Sequence, residues 1–158
     1  MNVDVLTAVL LIFGAACYLL LGGRMIASRR DLGSAPIGII FILMAVWVGG
    51  GAIELLASSF SIFSIGRSGH FVATASLPVV VYACFRDYTG EVTPLRTILL
   101  LALLPFVSIT LAATNQWHEL MWSSPFADEN GAFLTRPGEW GPWFLFVHAP
   151  YSYLLTSL

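Results

Sequence analysis

The sequence predicts an all-α integral membrane protein, a bundle of five transmembrane helices. Three observations predict it. Of 158 residues, 58% are hydrophobic and only 10% are charged, against about 25% charged in a soluble domain. The mean hydropathy of +0.84 means more apolar surface than a core of this length can hide. The apolar runs reach the roughly 20 residues needed to cross a hydrocarbon core about 30 Å thick. They are also unbroken, which excludes the alternating strands of about ten residues that build a membrane barrel. The same composition excludes a soluble enzyme and a disordered tail. With a formal net charge of −2 and no basic face, it excludes a nucleic-acid binder as well.

Span one covers about 3–21. Its only early charge is Asp4, so it lacks the basic leader of a cleaved signal peptide. Span two covers about 36–57, span three about 68–85 and span four about 95–113. Span five covers about 141–158, where the given sequence stops. No internal repeat, low-complexity tract or linker interrupts them, so residues 1–158 read as one transmembrane domain.

The arginines orient the bundle. Arg24, Arg29 and Arg30 fall in the first loop, and Arg86 and Arg96 flank the third. Basic residues concentrate on the cytoplasmic side, which places the N-terminus outside. The 114–140 loop, with Glu119, Asp128, Glu129 and Glu139 against Arg136, belongs outside. Turn signals at Glu129-Asn130-Gly131 and Arg136-Pro137-Gly138 bracket Phe133 and Leu134, which form one arm of a short hairpin on this reading. Cys17 and Cys84 sit in apolar segments and read as packed thiols.

Pro78, Pro105 and Pro150 each lie about 14–15 Å into their spans at 1.5 Å per residue. Three helix breaks at one depth can splay the outer half of the bundle and open a cavity, although membrane helices also tolerate proline without consequence. His148 lies just above Pro150. An ionisable side chain at that depth faces protein or water, either as a neutral histidine bonded to a neighbouring helix or as a ligand contact, an axial ligand of a porphyrin-type pigment, or a proton sensor. Glu54 follows Gly49-Gly50-Gly51, and glycines admit close approach by a helix or a ligand. It is either an interfacial carboxylate or a pocket acid paired with Arg67, His70 or His118. The histidines and acids of the outer half have no zinc-binding spacing, so no metal is expected. Trp117, Trp122, Trp140 and Trp143 form a headgroup belt or line a ligand mouth. No phosphate loop, nucleophile elbow or kinase motif occurs, so no catalytic activity is expected of this chain.

Two stretches, Pro78 to Gly90 (Pro-Val-Val-Val-Tyr-Ala-Cys-Phe-Arg-Asp-Tyr-Thr-Gly) and Ala113 to Trp122, resemble the N-terminal seven-helix region of bacterial sensor histidine kinases and some diguanylate cyclases. The Thr-Asn-x-x-His-x-x-x-Trp pattern of that family falls on Thr114, Asn115, His118 and Trp122. Its late glutamate in span two matches Glu54. The Gly141-Pro142-Trp143-Phe144 and Tyr151-Ser152-Tyr153 stretches are similar to its fifth span. The resemblance implies two further spans and a cytoplasmic output domain, so these five helices would be the first part of a seven-helix bundle.

Together these readings point to a membrane sensory or ligand-binding input module. Glu54, His70, Asn115, His118, Trp122 and His148 are its candidate ligand-binding residues, in the outer half. If the chain stays helical beyond Asn115, then Asn115, His118 and Trp122 form one stripe facing the bundle interior, with His118 paired to Glu54. The alternative is a structural accessory subunit of a larger membrane complex, such as a photosynthetic one. That subunit would hold lipid or pigment, with His148 as the pigment ligand. The sequence requires no cofactor. Its expected partners are the bilayer, a small molecule, and neighbouring subunits or a second copy.

Overall fold

The computed structural model describes residues 3–28, 34–123 and 140–157. Four long helices come first: α1 (Val3–Ser28), α2 (Ser34–Leu55), α3 (Phe60–Tyr88) and α4 (Leu95–Ala113). A 3-10 turn over Asn115–Trp117 follows α4. The last helix covers 142–156. It contains a π-helical turn over Phe144–His148 that leads into α5 (Ala149–Thr156). The chain is an all-α membrane bundle, and α1 to α4 are each long and apolar enough to cross a bilayer. The helix over 142–156 is shorter than the roughly 20 residues a full span needs.

Two expected boundaries move by seven residues or more (28 − 21; 68 − 60). Helix α1 runs on to Ser28, so Arg24 lies in the helix and not in a loop. Arg29 and Arg30 lie outside the described residues, as does the Phe133–Leu134 hairpin arm. Helix α3 starts at Phe60, eight residues before the expected Ser68 (68 − 60), because Ser59 caps it and accepts the Ile62 N–H. Caps of this kind satisfy N–H groups that the first turn leaves open. The early start brings Arg67 into the helix.

The helices pack in chain order, α1 on α2, α2 on α3 and α3 on α4, and the last helix lies against α3 and α4. Phe13 of α1 and Phe106 of α4 are 69% and 68% exposed, while small residues line the closest helix contacts. Two contacts are backbone to backbone. A Cβ on Gly22 would lie 2.7 Å from the Gly38 carbonyl oxygen, and one on Gly50 would lie 2.7 Å from the Gly66 carbonyl oxygen. Helix association in lipid depends on such close packing rather than on a hydrophobic drive.

Two of the three prolines keep a common level by residue count. Pro78 and Pro105 stand ten residues from Tyr88 and Leu95 respectively (88 − 78; 105 − 95), about 15 Å from the same end of the bundle. Proline has no N–H for the carbonyl four residues earlier. For Pro105 that carbonyl belongs to Leu101, and the Tyr151 hydroxyl of the last helix donates to it at 2.5 Å. Trp143 adds a second tie, its Nε1–H donating to the fully buried Ser108 Oγ at 3.0 Å. Two side-chain hydrogen bonds therefore fix the last helix on α4.

Candidate functional site

The close crossing of α2 and α3 at Gly50 and Gly66 dictates what lies beside it. One turn beyond Gly50 on the same face of α2 comes Glu54. Arg67 and His70, three residues apart on α3, face it. Arg67 Nη2 stands 3.1 Å from Glu54 Oε2, with the two side chains 11% and 2% exposed. His70 Nδ1 lies 2.8 Å from Glu54 Oε1, without the alignment of a hydrogen bond. The imidazole has room because α2 has no side chain there: a Cβ on Gly51 would lie 3.4 Å from His70 Nε2. The Arg67 guanidinium also stacks over the Phe63 ring, 5.3 Å from its centre, a cation–π arrangement. A buried ion pair offsets the desolvation of its two charges only with good geometry. This one joins two helices at their tightest contact.

Arg67 borders two cavities. One, of about 230 Å³, lies between the first turns of α3 and the end of α4. Ser61, Ser64, Ser68, Asn115 and Gln116 contribute to its walls, with Phe60, Phe63 and Trp122 beside them. The other, of about 330 Å³, is a cleft over α3 between α2 and the last helix. Trp47, His70, Phe71, Phe144, His148 and Ser152 line it. His148 is 5% exposed. Among the described residues neither its Nδ1 nor the buried Ser152 Oγ has a hydrogen-bond partner. The π-helical turn that ends at His148 is closed by the Ala149 N–H bonding to the Phe144 carbonyl. Such turns occur frequently at functional sites.

The Asn115, His118 and Trp122 segment is not a helical stripe. Helix α4 ends at Ala113, and Glu119 at φ 53° reverses the chain. Asn115 Oδ1 accepts the Met121 and Trp122 N–H groups at 2.8 and 3.3 Å, and its Nδ2 donates to the Trp122 carbonyl at 2.8 Å. His118 does not meet Glu54. Its Nδ1 accepts the Leu120 N–H at 3.0 Å, which leaves Nε2 as the donor to Thr114 Oγ1, also at 3.0 Å. The Thr114 hydroxyl donates in turn to the Thr110 carbonyl. Both partners of His118 are local because the chain turns back before another helical turn can form.

This braced turn presents the backbone of Leu120, Met121 and Trp122 to the far end of the long loop. Trp122 pairs with Trp140, the Gly141 N–H bonds to the Met121 carbonyl, and the Trp143 N–H bonds to the Leu120 carbonyl. A Cβ on Gly141 would overlap the Leu120 carbonyl, so only glycine fits. The Trp122 ring packs on Phe71, centroids 4.8 Å apart, and Phe71 also touches His148 at 5.9 Å.

A family model described as the N-terminal 7TM region of histidine kinase matches residues 5–158. The chain belongs to that family. It is therefore a multi-pass membrane segment of a signal-transduction protein, a sensory membrane region and not a catalytic domain. Comparison with curated proteins and with solved structures gives no match. Within the family pattern, Asn115, His118 and Trp122 hold the loop that positions the last helix, while Glu54 and His70 lie at the ion pair. Of Trp117, Trp122, Trp140 and Trp143, the first and third are exposed, Trp122 is in the core and Trp143 is tied to Ser108. Sequence reasoning considered Arg67 only as a partner for Glu54. The signal that it borders both cavities was its i, i+3 spacing to His70, which needed the early start of α3 to register.

Proposed function

We propose that this chain is the ligand-reading input module of a bacterial sensor histidine kinase, in the inner membrane with its N-terminus outside. The concentration of Arg24, Arg86 and Arg96 at one end of the bundle supports that orientation. The observation that carries the reading is the position of Arg67. It is bound to Glu54 of α2 and forms part of both cavity walls. A molecule entering either cavity touches the pair that fastens α2 to α3, and differential contact with that pair is what shifts a conformational equilibrium. The orphaned His148 and Ser152 atoms beside the cleft add support, since each buried orphan costs about 1–3 kcal/mol.

The test is to purify the natural full-length protein from its own membranes and identify co-purifying small molecules by mass spectrometry. Wild type is compared with Ser64→Trp, which fills the serine-lined cavity, and Ala149→Trp, which fills the cleft. The expected result is a molecule retained by wild type, lost from one filled variant, and able to change autophosphorylation when added back. No such molecule, or one that both variants retain, overturns the reading. Stoichiometric pigment with a partner subunit in its place would instead establish an accessory role.

A further inference from the structure

The serine-lined cavity is chemically unlike the aromatic cleft on the other side of Arg67. Ser61, Ser64 and Ser68 stand three and four residues apart, so they form one stripe along α3, and all three face the cavity. A buried guanidinium with a fixed fork of donors stands beside them. The cavity also lies over Phe60 and Ser61, the first residues of a 29-residue helix, where the helix dipole presents its positive end. Gln116 adds an amide at the rim. Hydroxyls, guanidinium and helix N-terminus all favour negative charge. Among the described residues no carboxylate lines this cavity, and Glu54 meets Arg67 from the α2 side. Asn115 also borders it, with its amide already bonded to the Met121 and Trp122 backbone, and the other described wall residues, Phe60, Phe63, Ala112, Ala113 and Trp122, are apolar. A volume of about 230 Å³ falls below the roughly 300 Å³ lower bound of drug-sized pockets.

We infer that this cavity binds a small water-borne organic carboxylate with a compact apolar body, its anionic end on Arg67 and the α3 serines and its body against Phe63 and Trp122. This names the ligand class for one of the two cavities and rests on the input-module reading. Occupancy would draw the guanidinium toward the ligand and compete with Glu54, so the site lies where binding loosens or tightens the α2–α3 contact.

The natural full-length protein is reconstituted in phosphatidylcholine nanodiscs and binding is read by thermal shift and by tryptophan fluorescence. The probes are benzoate, its neutral isostere benzamide, and benzylamine. Benzoate is expected to saturate and to bind at least tenfold more tightly than benzamide, with benzylamine weaker still. Ser64→Val, which removes a hydroxyl and keeps the helix, is expected to weaken benzoate at least tenfold, whereas Ser152→Val in the other cleft leaves it unchanged. Arg67→Lys retains charge without the fork and is expected to weaken it by a similar factor. If that variant fails to fold, the Ser64 comparison still decides.

Equal binding of benzoate and benzamide, no saturable benzoate binding, or an unaffected Ser64→Val overturns the assignment. Replacing half of the lipid by phosphatidylglycerol separates the two sources of an anion: unchanged benzoate affinity supports a water-borne ligand, and competition assigns the site to a lipid headgroup and overturns the proposal. A neutral molecule identified from native membranes alongside failed benzoate binding would refute this ligand class while leaving the input-module reading intact.

Discussion

Removing the Tyr151 hydroxyl tests how the last helix is held. Pro105 leaves the Leu101 carbonyl without its helical N–H, and Tyr151 supplies the donor from another helix at 2.5 Å. Interhelical hydrogen bonds in membranes average about 0.6 kcal/mol and reach about 1.7. Orphaning a buried acceptor costs about 1–3 kcal/mol. Tyr151→Phe keeps the ring and orphans the carbonyl, so an expected loss of about 1.5 kcal/mol follows, close to tenfold in the folding equilibrium. Pro105→Ala restores an N–H at residue 105 for the same carbonyl. In that background Tyr151→Phe is expected to cost no more than about 0.5 kcal/mol, a coupling of about 1 kcal/mol, within the range for residues that share one partner. Reversible unfolding in mixed micelles on the four proteins of the cycle measures it. A coupling below about 0.3 kcal/mol, with Tyr151→Phe costly in both backgrounds, would refute the reasoning and assign the loss to packing of the phenol alone.

Other perturbations separate the remaining contacts. Gly50→Ala places a Cβ against the Gly66 carbonyl and is expected to destabilise by about 1–3 kcal/mol. Gly23→Ala, with nothing within 4 Å of its Cβ, is expected to be neutral or stabilising by about 0.5–1 kcal/mol. The same micelle assay compares them. Glu54→Ala strands the buried Arg67 charge and is expected to cost about 3–5 kcal/mol, with Glu54→Ala/Arg67→Ala recovering part of that; a double variant no better than the single would remove the ion pair from the account. Asn115→Ala opens three hydrogen bonds and is expected to speed amide exchange at Met121 and Trp122 at least tenfold, leaving amides in α1 unchanged. For orientation, cysteines introduced at Ser59 and Ser28 are expected to react with an impermeant reagent in intact cells at position 59 only; labelling at 28 alone reverses the topology.

Composition and unbroken apolar runs determined the membrane class and α1, α2 and α4 to within a few residues at most ends, because crossing hydrocarbon is a local requirement on length and hydropathy. They also determined that Gly49-Gly50-Gly51 would admit a close neighbour. The start of α3 was not legible, since Ser59 caps the helix in a stretch whose hydropathy does not mark an interface. That single boundary decided whether Arg67 was a flanking charge or a buried one. The partner of Glu54 was likewise tertiary: Arg67 and His70 reach it because α2 and α3 touch at Gly50 and Gly66, while His118 cannot, because Glu119 turns the chain back and Thr114 and Leu120 occupy both ring nitrogens. The family pattern on Thr114, Asn115, His118 and Trp122 was visible as a motif, but whether it formed a helical stripe or a braced turn depended on hydrogen bonds between residues six and seven apart and on contacts across the 114–140 loop. Periodicity reports which residues share a face of one helix. It carries no information about which faces meet, and both cavities at Arg67 exist only where such faces meet.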